Sequence, residues 1–330
     1  MAPTIARLRT MGIAAQPTFG QAAPSSTVVL PLTNAPQLSA MINKVINEAA
    51  LGSSYQVNDI EKTTRFTTVP LEFKIDEDQF PLIMKQRFAI ASATTSVTGV
   101  YRHTLTYTET TNCWYTLFLK DDNQQSYVVK DVLFDNHDAS FDSDFIRMSS
   151  SAVGAYPTAT AVSQTPIQPK EFVGRMASYL DGAVAPATVT ASTVLGITAN
   201  FDFGLNSEDT RFGLGSADLA VLRLTTDKYM LNVSQIKSDA ARYLENENLT
   251  TKQVRVLVQS TDRYIAVANP TATRPLIQFD VARAKMENYT EEPDLNELVR
   301  ENFDLTAIKQ AGVTVSSPMS MTILNATASY

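Results

Sequence analysis

Two histidines, one cysteine and one glycine-flanked run are the places where this chain of 330 residues could carry catalytic or ligand chemistry. His137 sits in Asp135-Asn136-His137-Asp138, and an imidazole flanked by carboxylates could grip a metal ion. The same four residues suit a polar turn, because Asp and Asn side chains bond their own backbone, and the turn is the preferred reading. His103 falls in a strand-like run rich in Thr and Tyr. Cys113 beside a histidine could imitate a nucleophile and base. Its neighbours Trp114 and Tyr115 instead place it in an apolar run, where a thiol is inert. Phe212-Gly213-Leu214-Gly215-Ser216 lacks both the Lys of a phosphate loop and the strand-to-helix setting of a dinucleotide site, and reads as a bend. Carboxylates are plentiful, with no pair singled out as acid and base. The expectation is no enzyme, no cofactor and no metal.

Composition narrows the class further. Apolar residues make up 44% and charged residues 18%, a globular balance. The length favours two domains, each able to bury a core. With 34 acidic against 27 basic residues the net charge is −7, which argues against wrapping nucleic acid by phosphate neutralisation. Cys113, the single cysteine, cannot form an intrachain disulfide, so folding in a reducing compartment is expected. No window approaches the run of about 18 apolar residues that a membrane helix needs, and Met1–Arg9 has no apolar signal core.

The elements that would position these residues are mostly strands. Leu71, Phe73 and Ile75 alternate with Glu72 and Lys74; Ile277, Phe279 and Val281 alternate with Gln278 and Asp280; Phe303, Leu305 and Ala307 alternate with Asp304 and Thr306. Such period-two patterns describe half-buried antiparallel strands. A plan is written twice: a strand, a short helix, then four strands. The first copy has Val69–Ile75, a helix over Asp78–Phe88, then Tyr101–Tyr107, Cys113–Leu119, Tyr127–Phe134 and Phe141–Val153. The second has Ala217–Thr225, a helix over Ser234–Glu245, then Gln253–Gln259, Tyr264–Val267, Leu276–Met286 and Leu298–Ile308. An apolar stripe predicts a further helix over Gln37–Leu51, and the linker or loop allows a short one over Lys170–Leu180. The predicted organisation is an arm and helix at 1–52, a β module at 53–156, a Pro/Ser/Thr/Ala-rich linker or loop at 157–190, and a second β module at 191–330. The fold class is mainly β with a few short helices, the modules being sandwiches or partial barrels.

Dispersed segments resemble a known family. Leu8-Arg9-Thr10-Met11-Gly12-Ile13-Ala14-Ala15-Gln16-Pro17-Thr18-Phe19-Gly20-Gln21-Ala22-Ala23 resembles the opening of tail tube proteins of long-tailed bacteriophages, which often read G-I-A-x-E-x-x-Y-G-T-A-A. Gln16 and Phe19 stand where that family tends to have Glu and Tyr. Val29-Leu30-Pro31-Leu32-Thr33 is similar to its L-P-x-T segment, and Tyr101-Arg102-His103-Thr104-Leu105-Thr106 to its Y-x-H-x-F-T strand. Leu71–Ile75 followed by Phe80, Leu82 and Ile83 resembles its strand-plus-helix step. Leu276–Lys285 and Phe303–Ala307 resemble its late strands. The stripe at Gln37–Leu51 and the Pro-rich middle depart from the pattern.

The resemblance implies a structural virion protein whose modules pair into rings that stack as a tail tube, the conduit for DNA ejection. Two modules per chain imply a homotrimeric, pseudo-hexameric ring; a ring of six chains is the other possibility. The implied partners are further copies of the chain, tape measure, tail terminator and baseplate or tail-tip proteins, and DNA in non-specific transit, with no membrane insertion. Assembly would occur in the bacterial host cytoplasm, and the two-module design leans toward a non-contractile tail. Asp131, Asp135, Asp280 and Glu287, from the long strands before each module's last strand, are the candidate lumen-facing carboxylates. The rival expectations are a capsid decoration or baseplate protein, which would not form tubes, and a carbohydrate-binding sandwich, which would expose clustered aromatics.

Overall fold

Alternating side chains build strands along almost the whole chain. The computed structural model describes residues 9–47, 59–110, 113–122, 124–142, 144–165, 170–182, 187–188, 194–214, 216–266, 274–293, 298–309 and 318–330. In the first half β1 (Arg9–Gln16), β2 (Val28–Val29), β3 (Ser39–Asn47) and β4 (Asp59–Lys74) precede helix α1 (Phe80–Met84). There follow β5 (Phe88–Thr94), β6 (Tyr101–Tyr107), β7 (Trp114–Asp121), β8 (Tyr127–Phe141), β9 (Arg147–Gly154) and β10 (Thr158–Ala159). In the second half β11 (Ala177–Gly182), β12 (Ala187–Thr188), β13 (Val194–Asp202) and β14 (Lys228–Ile236) precede α2 (Ala241–Glu247). They are followed by β15 (Lys252–Gln259), β16 (Leu276–Glu292), β17 (Arg300–Ala307) and β18 (Met319–Asn325). The fold is mainly β, antiparallel, with few and short helices.

The strand pairing of the first half is repeated in the second. The order β2–β1–β7–β8–β9–β4–β3 recurs as β12–β11–β15–β16–β17–β14–β13. The irregularities recur too. Between Tyr115↔Val132 and Leu117↔Val129 the long strand β8 holds an extra residue, as β16 does between Lys252↔Ala284 and Val254↔Val281. A second bulge follows at Asp135, between Phe134↔Ala152 and Asn136↔Ser151, matched by Glu287 between Met286↔Leu305 and Asn288↔Asp304. Bulges bend a strand and sharpen its twist, and here they let β8 and β16 pass from one sheet to another. β10 and β18 are also equivalent, each pairing with the first half of its long strand. The hairpin β5–β6 belongs to the first repeat alone, and it pairs through β6 with β18 of the second.

Several expected elements are different. Ser39–Asn47, inside the stripe expected as a helix, is β3; residues 48–51 of that stripe lie outside the described residues. Its β-branched Ile42, Val45 and Ile46 suit a strand, and β4 supplies the ladder. Asp135–Asp138 is no turn: β8 runs unbroken through it to Phe141. Lys170–Leu180 holds only a short 3₁₀ turn at Gly174–Met176 before β11. The expected linker thus supplies the opening strand of the second repeat, and the expected arm supplies β1 to β3 of the first. Ser234–Ile236 closes β14, so helix α2 begins only at Ala241. Ala217–Thr225 forms isolated bridges at Leu219 and Leu224 in place of a strand, and Tyr264–Ala266 forms none; Val267 lies outside the described residues.

One apolar core runs through both repeats. Phe279 of β16 meets Phe80 of α1 at 5.5 Å, Phe141 of β8 at 5.7 Å and Phe201 of β13 at 6.0 Å. All five residues of α1 are buried, with Pro81 in the first turn where its missing N–H costs nothing. A buried ion pair also crosses between repeats: Arg87 directs Nε (2.9 Å) and Nη2 (2.5 Å) to Oδ2 of Asp227. Tyr107 donates its hydroxyl to the same oxygen at 2.5 Å. Burial, together with Asp227's charge and hydrogen bond, pushes the Tyr107 phenol up to about 12. Removing one member of such a pair strands the other in the core. Asp227→Ala is therefore expected to cost about 3–5 kcal/mol, read as a lowered urea midpoint; an unchanged midpoint would show that the pair does not hold the repeats together.

Candidate assembly interface

The second halves of the long strands join the repeats. Residues Asn136–Ser140 of β8 pair with β9 on one edge, and Asn136–Phe141 pair with Ile197–Asp202 of β13 on the other. The result is one eight-stranded antiparallel sheet in the order β3–β4–β9–β8–β13–β14–β17–β16, four strands from each repeat. Period-two alternation gives it two faces. His137, Ala139, Phe141, Ile197, Ala199, Phe201, Leu231, Val233, Phe303 and Leu305 are buried on the core side. The other face carries Asn136, Asp138, Ser140, Thr198, Asn200, Asn232, Ser234, Asn302 and Asp304, all half-buried.

That polar face is laced across strands. Asn200 donates to Asp138 across the β13–β8 junction, and Asn232 donates to Asp304 across β14–β17. Asn288 of β16 donates to the other Asp304 oxygen at 2.7 Å. A shallow pocket of about 430 Å³ lies against Ser140, Thr198, Asn232, Ser234, Asn302 and Asp304 on this face.

Among the described residues, both ends of this sheet are open. β3 is paired through β4 alone. On β16, the edge that carries β15 is occupied only as far as Ala284, and the rest of that edge carries no strand. The β17–β18 side of β16 is filled along its length, because Ile308 donates to the Arg283 carbonyl and Ala282 to the Pro318 carbonyl between those strands. Nearby apolar side chains face solvent: Met41 is 44%, Val45 55% and Ile46 52% exposed on β3, and Tyr243 and Leu244 are each 50% exposed on α2. Open edges and exposed apolar side chains are liabilities in an isolated chain.

The four carboxylates expected to line a lumen fall in different places. Asp131 is buried: its Oδ1 accepts the Gly20 N–H at 2.5 Å and the Gln16 amide, fixing a local turn. Asp280 lies on the first half of β16, outside the eight-stranded sheet, and pairs with Arg255 at 2.5 Å. Asp135 and Glu287 are the equivalent bulge residues. Asp135 is half-buried at the junction, where its carbonyl accepts the Phe203 N–H (2.8 Å) and its carboxylate the Leu205 N–H (3.1 Å). Glu287 is exposed and pairs with Lys228 at 3.0 Å; hydrogen bonds from Thr306 and Lys228 hold its carboxyl below the usual range. Asp138 and Asp304, which do lie on the polar face, are not among the expected four; alternation from Asn136 to Phe141 and from Phe303 to Ala307 is the signal that places them there.

No metal or nucleophile site emerges from the remaining candidates. Asp135, His137 and Asp138 are spread over the bulge and opposite faces of β8, and among the described residues no cluster of three potential ligands is found. Burial pushes the His137 imidazole down to about 3, so it is neutral, with Nδ1 2.6 Å from the Ser150 hydroxyl. His103 is a buried tie: Nε2 donates to the Thr327 carbonyl at 2.9 Å, and Nδ1 lies 2.8 Å from the Ser92 hydroxyl. Burial pushes the Cys113 thiol up to about 11, which leaves it unreactive. Gly213 lies outside any regular strand or helix, and Gly215 is outside the described residues. No protein family model matches the chain, and no curated protein matches it. No helix among the described residues is long and apolar enough to cross a membrane.

One titratable cluster bridges the repeats. Glu77 is buried 3.1 Å from Arg263 and 3.5 Å from Lys170, between Asp76 and Asp78. Asp78 in turn pairs with Lys170 at 2.7 Å and accepts from Thr327 at 2.8 Å. Burial outweighs both cations and pushes the Glu77 carboxyl up to about 7. Between its ordinary value of 4.5 and 7 the folded chain keeps a proton that the unfolded chain has released. Stability should therefore fall as pH rises through that window, by at most about 3 kcal/mol. Glu77→Gln should flatten this slope in urea titrations from pH 4.5 to 7; an unaltered slope would remove Glu77 as its cause.

Proposed function

We propose that this chain is a structural subunit of a phage-type tail tube, in which three copies close into a pseudo-six-fold ring and rings stack around a DNA conduit. The observation that carries the reading is the β8–β13 junction. It joins two equivalent four-stranded units edge to edge, and it leaves one open edge at each end of the same kind. An interface between unlike surfaces generates a ring when its rotation closes. Repeating the junction between chains would satisfy both open edges of this sheet.

Three chains would contribute about 24 strands to the inner wall, and barrels of 16–18 strands already leave an aqueous channel. The polar face would form that wall. Beside its Asn, Ser, Thr and Asp it carries Lys74, Arg147 and Lys228, each paired with a carboxylate of Glu171, Glu72 or Glu287, so it offers phosphates little counterion release. Such a surface would let a duplex slide. The exposed apolar residues Val45 and Ile46 of β3 and Tyr243 and Leu244 of α2 would be covered by neighbouring copies, consistent with a chain whose stable form is an assembly.

Native mass measurement of concentrated or tail-tip-seeded protein is expected to show a three-chain species and its multiples. A monomer under every seeding condition would contradict the reading. The wall assignment has its own test. Ser140→Lys and Ser234→Lys together should leave assembly intact but make the tubes retain duplex DNA at low salt, with release as salt rises. Unchanged DNA retention in assembled tubes would remove this face from the wall.

A further inference from the structure

From the internal junction we infer that a second copy of this chain adds its β3 to the open edge of β16 in one defined register, with Ser39 opposite Thr290. The inference rests on the ring reading above and goes beyond it by naming the residues that meet.

The register follows from the repeat itself. Arg147 and Arg300 open the equivalent strands β9 and β17, and they face Lys74 and Ile236. Counting back along β4 and β14 makes Thr68 equivalent to Met230. Thr68 faces Ser39, and Met230 faces Asn200, so Ser39 takes the place of Asn200. On the other partner, Ser149 of β9 faces Asp138 and the equivalent Asn302 of β17 faces Thr290, so Thr290 takes the place of Asp138. Within the chain Asn200 and Asp138 are direct cross-strand partners that share a hydrogen bond. Between chains the same operation sets Ser39 against Thr290, Ala40 against Tyr289 and Met41 against Asn288.

Side-chain chemistry fits this register. Ser39 and Thr290 are both exposed and both on the polar face, and a hydroxyl pair is a favourable cross-strand match. Ala40 meets Tyr289 on the opposite, core-side face. The Glu287 carbonyl stands ready for the Ile42 N–H, as the equivalent Asp135 carbonyl receives Phe203. Pro36 and Pro293 fall opposite each other at the far end, where a ladder can stop without leaving an unmet donor. The equivalent helices agree: α1, which meets Phe279 of the second repeat, is wholly buried, whereas α2 beside the open edge leaves Tyr243 and Leu244 half exposed.

Paired cysteines test the register in the full-length chain, where Cys113 is buried and gives little background. Directly opposed strand residues lie about 4.5–5.5 Å apart, within disulfide reach. Diagonal pairs lie about 7–8 Å apart, beyond it. Ser39→Cys with Thr290→Cys should oxidise to a covalent three-chain species on non-reducing gels of isolated rings, and Ser39→Cys with Glu292→Cys should not. Asp138→Cys with Asn200→Cys should close within one chain, which verifies that the strand geometry accepts the bond. Rings that cross-link only through the shifted pair, or through neither pair while the internal control closes, would overturn the register and leave the ring reading standing. Absence of rings from the unsubstituted chain under seeding would overturn both.

Discussion

A ladder of six residue pairs, Asn136–Phe141 against Ile197–Asp202, is the contact on which the rest of the structure depends. Without it the chain would hold two four-stranded units, each with unmet backbone donors and acceptors at both ends. With it, one sheet joins the two repeats, its apolar side facing the shared core and its polar side turned away from it. The Asn200–Asp138 hydrogen bond and the Asp135 bulge fix the register of this ladder from the polar face and the edge. Behind it, Phe279 locks the helix of one repeat to the long strand of the other. The open edges at β3 and β16 are then consequences of a junction made once inside the chain.

The long strands show how local irregularity serves that arrangement. β8 and β16 each carry two bulges at matching positions, and the first halves of both serve outer sheets while the second halves serve the shared one. Asp131, at the first bulge of β8, has a φ of 57°, a left-handed conformation that Asp tolerates better than most residues. Its buried carboxylate satisfies the Gly20 N–H and the Gln16 amide there. A carboxylate that looked from sequence like a bore residue therefore works as a local brace.

Part of this was legible in the sequence. Alternation at Leu71–Ile75, Ile277–Val281 and Phe303–Ala307 marks strands that the structure contains, whereas the recurrence expected from strand, helix and four strands is not the observed one: Ala217–Thr225 and Tyr264–Ala266 form no strand, and the structure matches β7, not β6, to β15. The junction and the open edge at β3 were not legible, each for a physical reason. In Asp135-Asn136-His137-Asp138 three turn-forming residues mask a strand whose outward face is polar and whose inward residue is a buried, neutral histidine. In β3 the exposed Met41, Val45 and Ile46 break the period of two and, with Leu38 and Ile42, imitate a helical stripe. A strand apolar on both sides loses its alternation, which is what an edge awaiting a partner would do to the pattern. The repeat boundaries were obscured likewise, because β1–β3 and β11–β12 sit in Ser-, Thr- and Pro-rich sequence with weak periodicity.

In the proposed ring one chain fills two consecutive positions. End-on images of assembled particles, averaged without imposed symmetry, should then show six similar lobes with true three-fold symmetry, alternate lobes differing at the β5–β6 hairpin that only the first repeat carries. Six identical lobes, or an assembly with no closed ring, would contradict it.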